Sequence, residues 1–180
     1  MHRVQNKFTS RLKLHLQPTV EDQRIAWLAA IAVSIHILEA MLPSPIPGLK
    51  PGLANIVTIC VLCLYGWSTA AWVSLLRVMV SSLLLGTFLS PTFMLSLTGA
   101  VASLLVLWPM TRLPGTGFGP LGFSVAAAIA HITGQFLLAW GWFVPHPGIW
   151  KLFPVLLSFA VLLGVVNGII TLKVVKQLND

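Results

Sequence analysis

The sequence predicts an all-α integral membrane protein, a compact bundle of about six transmembrane helices, and three observations predict it. Hydrophobic residues make up 57% of the chain and charged residues 8%, against about 25% charged in an ordinary soluble domain. Apolar runs follow one another from residue 24 to residue 175, separated by short segments rich in Pro and Gly. These runs lack the period-two alternation of a membrane barrel, which argues against strands. With a mean hydropathy of +0.90, the chain is expected to form a single transmembrane domain over 24–175, between a basic segment 1–23 and a short tail 176–180.

Residues 1–18 are basic and loosely amphipathic, with Val4, Phe8, Leu12 and Leu16 at helical spacing. They read either as a helix lying on lipid headgroups or as a basic tail that sets topology. Thr19-Val20-Glu21-Asp22 has the form of a capping box, in which the Thr19 hydroxyl accepts from the Asp22 amide. The first span, expected at 24–42, starts from it. That run begins after more than twenty residues and ends without an A-x-A site, so a retained helix is expected rather than a cleaved signal peptide. The remaining spans are expected at 53–66, 69–86, 92–110, 119–142 and 151–174. The second is short against the roughly 20 residues that a crossing needs. Helix breakers separate them, among them Pro43-Ser44-Pro45-Ile46-Pro47-Gly48, Tyr65-Gly66-Trp67 and Pro145-His146-Pro147-Gly148.

The net charge is +7, which in a soluble protein would suggest nucleic acid. Its placement excludes that reading. Arg3, Lys7, Arg11, Lys13 and Arg24 precede the first apolar run, and Lys173 and Lys176 close the last. Six helices put both termini on one side together with Arg112, leaving Lys50 and Lys151 opposite. The positive-inside rule then predicts cytoplasmic termini in a bacterial cytoplasmic membrane, with the 43–52, 86–91 and 143–150 segments outside. Trp140, Trp142 and Trp150 fit an aromatic belt at that outer surface.

Small residues recur at four-residue spacing: Ala26 and Ala30 in the first helix, Ala126, Ala130 and Gly134 in the fifth, Gly164 and Gly168 in the sixth. Such stripes let helices approach closely in lipid. Most are expected to serve packing within the bundle, whereas Ala26 and Ala30, on a peripheral helix, suit docking to another membrane subunit.

A few polar residues interrupt the apolar runs. Arg77 lies near the middle of the third helix, where a cation costs at least about 2.5–3.5 kcal/mol and needs a partner or a wet cavity. Glu39, the only acid between residues 23 and 179, is expected either to neutralise Arg77 or to meet a cationic ligand group. His131 and Gln135 lie one turn apart on the fifth helix and are expected to face the interior, as are Asn55 and Asn167; each could satisfy a neighbouring helix or a ligand. Cys60 and Cys63 have the spacing of a cluster or zinc half-site, but two ligands fall short of the usual four. The five histidines show no metal-binding pair, so no cofactor or metal is expected and the cysteines read first as packing residues. No phosphate loop, G-x-S-x-G or aspartate-rich magnesium-diphosphate motif is present, so an enzyme is not expected.

Several of these residues sit in a run of motifs: Lys50-Pro51-Gly52-Leu53-Ala54-Asn55, Leu76-Arg77-Val78, Gly86-Thr87-Phe88-Leu89-Ser90-Pro91, Leu95-Ser96-Leu97-Thr98-Gly99, and Ala130-His131 with Gly134-Gln135. In this order, over roughly 25–175, the chain resembles the Gx transporter family, also labelled heptaprenyl diphosphate synthase component I. Members often carry Asn after the fifth-helix His, where this chain has Ile132. The family is similar in size and layout to the substrate-binding S components of energy-coupling-factor transporters. The resemblance implies capture of a small molecule from outside, with docking through the first helix onto an energising subunit. Lys50, Asn55, Arg77 and Thr87 would line the cavity, together with Ser90, His131 and Gln135, and the ligand would be an anionic, vitamin-like or phosphate-bearing solute. The synthase label implies instead an accessory membrane subunit of a prenyl, quinone or flavin-linked electron-transfer system, or, less directly, an enzyme acting on prenyl diphosphates.

Overall fold

The computed structural model describes residues 19–41, 52–113 and 118–179. Among them are six α-helices and no strand: α1 (Val20–Met41), α2 (Leu53–Tyr65), α3 (Trp67–Leu84), α4 (Pro91–Met110), α5 (Pro120–Leu138) and α6 (Phe153–Asn179). All but α2 belong to segments long and apolar enough to cross a membrane. At about 1.5 Å per residue α2 is roughly 20 Å long, short of a hydrocarbon layer of about 30 Å. The protein is therefore an all-α, multi-pass membrane protein with one helix that cannot span by itself.

The predicted helix starts agree with local chemistry. Thr19 and Asp22 form the capping box: the Asp22 amide donates to Thr19 Oγ1 at 3.1 Å, and the Thr19 amide donates to Asp22 Oδ2 at 2.9 Å. Ser90 caps α4, its hydroxyl accepting from the Phe93 amide at 3.3 Å, with Pro91 at the first helical position. A single residue, Gly66 at φ 86°, joins α2 to α3. The fifth helix ends in a π turn, Ala139–Phe143, closed by the Val144 amide on the Ala139 carbonyl. The sixth runs on to Asn179, beyond residue 175, where the membrane domain was expected to end.

The helices form a ring in which α1 packs on α3, α3 on α4, α4 on α5 and α5 on α6, and short α2 closes it between α6 and α1 while also touching α3 and α5. The small-residue stripes make the closest of these seams. Gly134 lies against Thr98 and Ala102 of α4, and Gly164 and Gly168 lie against Leu121, Ser124 and Val125 of α5. Ala26 and Ala30 remain exposed on α1. Trp27, Leu38, Leu83, Leu105 and Leu162 also point outward, whereas Glu39, Arg77, Ser81, Ser103, Asn167 and Thr171 are buried. That inversion of soluble packing suits a lipid surround, where polar groups turn to the bundle interior.

The two ends of the ring differ. At one, Arg24 stacks over Tyr65 and Arg112 over Trp108. At the other, Phe136, Trp140, Trp150 and Phe153 make edge-to-face and tilted ring contacts, with centroids 4.7–5.9 Å apart.

A side chain at Gly134 should open the α4–α5 seam, because its Cβ would lie 2.7 Å from the Ala102 Cβ and 3.1 Å from the Thr98 carbonyl oxygen. Gly134→Val is expected to cost about 1–3 kcal/mol, read as a lower unfolding midpoint in detergent, while Ala26→Val on the exposed stripe leaves the midpoint within a degree or so. Equal midpoints for both variants would contradict this packing.

Candidate functional site

The site begins with the short helix. The first amides of any helix lack intrahelical acceptors, and away from water something else must accept from them. Here α2 starts within the bundle: Ala54 is 1% exposed and Gly52, at φ 73°, is half-buried. Glu39, 4% exposed near the end of α1, takes both bonds through one oxygen, accepting from the Gly52 and Leu53 amides. Asn167 of α6 donates to the Gly52 carbonyl at 3.3 Å. One glycine is thus held from two sides, and α1, α2 and α6 meet there. A carboxylate also suits the positive end of a helix.

That arrangement decides the environment of Arg77. Its side chain, 5% exposed in the middle of α3, feels the Glu39 charge but makes no ion pair with it, and among the described residues its Nε has no hydrogen-bond partner. Of the two expected roles for Glu39, counter-ion or cationic-ligand contact, the first holds in part: its charge does act on Arg77, but its hydrogen bonds go to the first amides of α2. Among the described residues no ion pair reaches Arg77, and Glu39 is the acid whose charge acts on it.

Within the bundle, α4 and α5 hold His131. The Ser103 hydroxyl lies 2.9 Å from the carbonyl oxygens of both Gly99 and Ala127. Its single proton goes to those acceptors, so His131 Nδ1, 3.4 Å away, is the donor to Ser103 Oγ. Nε2 is then the acceptor, and the Gln135 amide donates to it at 3.0 Å. The assignment gives a neutral imidazole in one tautomer. Gly99 makes room for it, since a Cβ there would fall 2.7 Å from the imidazole. Arg77 and His36 are the charged or titratable neighbours of His131.

A cavity of about 250 Å³ opens between α1, α3 and α4, lined by His36, Ser81, Ser82, Thr87, Thr92 and Ser96, with Val78 and Phe93 in its walls. Val78 follows Arg77 directly, and Ser81 lies one turn farther along α3, a rise of about 5.4 Å per turn.

The structure therefore brings together Arg77, His131, Gln135 and Glu39 around the bundle interior and puts Thr87 in the cavity wall. Ser90 serves as a cap and Asn167 as a tie to Gly52, while Asn55 is half-buried in the first turn of α2. Lys50 lies outside the described residues. Sequence reading passed over His36, Ser81, Ser82, Thr92, Ser96 and the Ser103 relay. The signal for part of this was available: Ser74, Arg77, Ser81 and Ser82 share one face of α3 at helical spacing. Cys60 is buried and Cys63 half-buried, both as free thiols, and among the described residues no group of three or more His, Cys, Asp or Glu side chains could hold a metal.

If Glu39 is the cap of α2, Glu39→Ala orphans two amides, at about 1–3 kcal/mol each, and should lower the unfolding midpoint in detergent. Glu39→Gln keeps a carbonyl oxygen and should retain most of the stability. An alanine variant as stable as wild type would remove the capping role.

Comparison with known proteins bears on the whole bundle. No curated protein and no solved structure matches the chain. The family model for heptaprenyl diphosphate synthase component I matches residues 28–174, which takes in nearly all of α1 through α6 and every described polar residue of the site. The chain belongs to the heptaprenyl diphosphate synthase component I family.

Proposed function

We propose that this protein is the membrane-embedded substrate-binding subunit of a small-molecule uptake transporter, S-component-like, and that it holds an anionic solute on Arg77. The observation that carries the reading is the buried Arg77 guanidinium, whose Nε has no hydrogen-bond partner among the described residues. A cation inside a bilayer bundle is expensive unless an anion or water meets it, and the one acid near it is committed to α2. A carboxylate or phosphate group supplies the missing ion pair, and a guanidinium matches either with two parallel hydrogen bonds. Neutral His131, oriented by Ser103 and Gln135, adds polar contact without competing charge. Thr87 lines the neighbouring cavity, and Asn55 and Lys50 are further candidate contacts for the solute.

In this reading the basic end carrying Arg24 and Arg112 faces the cytoplasm, together with both termini, and the cavity opens outward. No phosphate loop is present, so energy for uptake comes from a partner or a gradient. The exposed Ala26 and Ala30 of α1, continued by exposed Ser34, form the face on which a membrane partner docks.

The family description favours a second reading, an accessory subunit beside a prenyl diphosphate synthase or a related quinone or flavin-linked system. It requires a chain that supports catalysis elsewhere, with no ligand of its own on Arg77.

The two readings separate in a thermal-shift screen of acidic solutes against the purified protein. Transport predicts that at least one small carboxylate or phosphate raises the unfolding midpoint, and that Arg77→Ala and His131→Ala weaken its binding by roughly tenfold or more. Stabilisation unchanged in both variants would overturn the site, and the absence of any stabilising anion would favour the accessory reading.

A further inference from the structure

The cavity beside Arg77 carries information about the rest of the ligand. Its polar lining is almost entirely hydroxyl: Ser81, Ser82, Thr87, Thr92 and Ser96, with His36 the one titratable group. These hydroxyls fall into two chemical sets. Ser81 donates to the Arg77 carbonyl at 2.5 Å and Ser82 to the Met79 carbonyl at 2.8 Å, so each has spent its proton on the α3 backbone and offers only lone pairs. Thr87, Thr92 and Ser96 have no side-chain hydrogen bond among the described residues, so each keeps a proton and its lone pairs.

A wall that both donates and accepts at neighbouring points suits a group that does the same, and an alcohol is the smallest one. An apolar chain packed against Thr87 and Ser96, which are half-buried, and Thr92, which is exposed, would displace water from their hydroxyls without replacing its hydrogen bonds. Size points the same way. Drug-sized ligands occupy roughly 300–1,000 Å³, and this cavity, at about 250 Å³, is smaller. Its volume matches a compact group of a few heavy atoms. No acidic side chain lines the cavity, so an anion bound one turn away on Arg77 meets no repulsion from this wall.

We propose that the α1–α3–α4 cavity is the subsite for an uncharged, hydroxyl-bearing portion of the solute, and that the ligand class is a compact hydroxylated carboxylate or phosphate ester. Val78, Leu85 and Phe93 take the carbon skeleton, Thr87, Thr92 and Ser96 read its alcohol groups, and Arg77 takes the charge. This rests on the assignment of Arg77 as the anion site and extends it to the selectivity of that site.

The test uses pairs of probes that differ only in hydroxyls: glycerol 3-phosphate against propyl phosphate, and glycerate against propionate. Binding is measured by calorimetry on the full chain in detergent, for wild type, Arg77→Ala, and the cavity variants Thr87→Val, Thr92→Val and Ser96→Ala. Variants that elute as a single species with a cooperative melt are compared. Wild type should bind the hydroxylated member of at least one pair about tenfold or more tightly than its partner. The pair that responds tells phosphate from carboxylate. Each cavity variant should bring that preference toward unity, and Arg77→Ala should remove binding of both members. Arg77-dependent binding with no hydroxyl preference, or a preference that survives all three cavity variants, overturns the subsite while leaving the anion site standing. Loss is different if no probe binds in an Arg77-dependent way: then the anion site fails, and the subsite with it.

Discussion

A single carboxylate sets the character of this bundle. Glu39 directs its hydrogen bonds to the start of α2 rather than to Arg77, accepting from the Gly52 and Leu53 amides, while its charge still acts on Arg77. The constraint behind the choice is the length of α2. Thirteen residues cannot carry a helix across the hydrocarbon, and at its first turn, where Ala54 is buried and Gly52 and Leu53 are half-buried, the free amides need an acceptor. With the carboxylate's hydrogen bonds directed to that end, Arg77 is enclosed by protein with its Nε unpartnered and with no ion pair among the described residues. The polar interior and the unpartnered guanidinium nitrogen both follow from it.

The other polar groups are held on rigid elements. His131 is oriented through Ser103 by two backbone carbonyls and through Gln135 by a residue one turn along its own helix. The α4–α5 seam that carries them is close because Gly99 and Gly134 present no side chain to it. The hydroxyls of α3 and α4 behave differently from the relay. Those on α3 are tied to their own backbone, and those at the start of α4 and in the turn before it are free, so the cavity has one spent wall and one reactive wall.

Much of the architecture was legible in the sequence because it depends on local rules. The capping box at Thr19 and Asp22, the six helices, the breaker-rich joints and the short second helix all follow from residue type and spacing within a few positions. The interior position of Arg77 was legible from hydropathy alone. The role of Glu39 was not. Its bond to Gly52 crosses a helix end and a connecting segment, and nothing in the residues near Glu39 says that α2 begins inside the bundle. Ser90 was read as a site residue by its place among the motifs, although the Ser-Pro pair also carries an ordinary capping signal. The cavity lining needed the packing of α1 against α3 and of α3 against α4, which single-helix periodicity does not supply.

The account stands on Arg77 being an anion receptor rather than a structural charge. Native mass spectrometry of the protein released from mild detergent addresses that directly. Wild-type protein should carry a small acidic molecule, visible as a discrete mass increment, and Arg77→Met protein from the same cells should fly as the bare chain. A bare wild-type chain, or an increment that survives in Arg77→Met, would contradict the account.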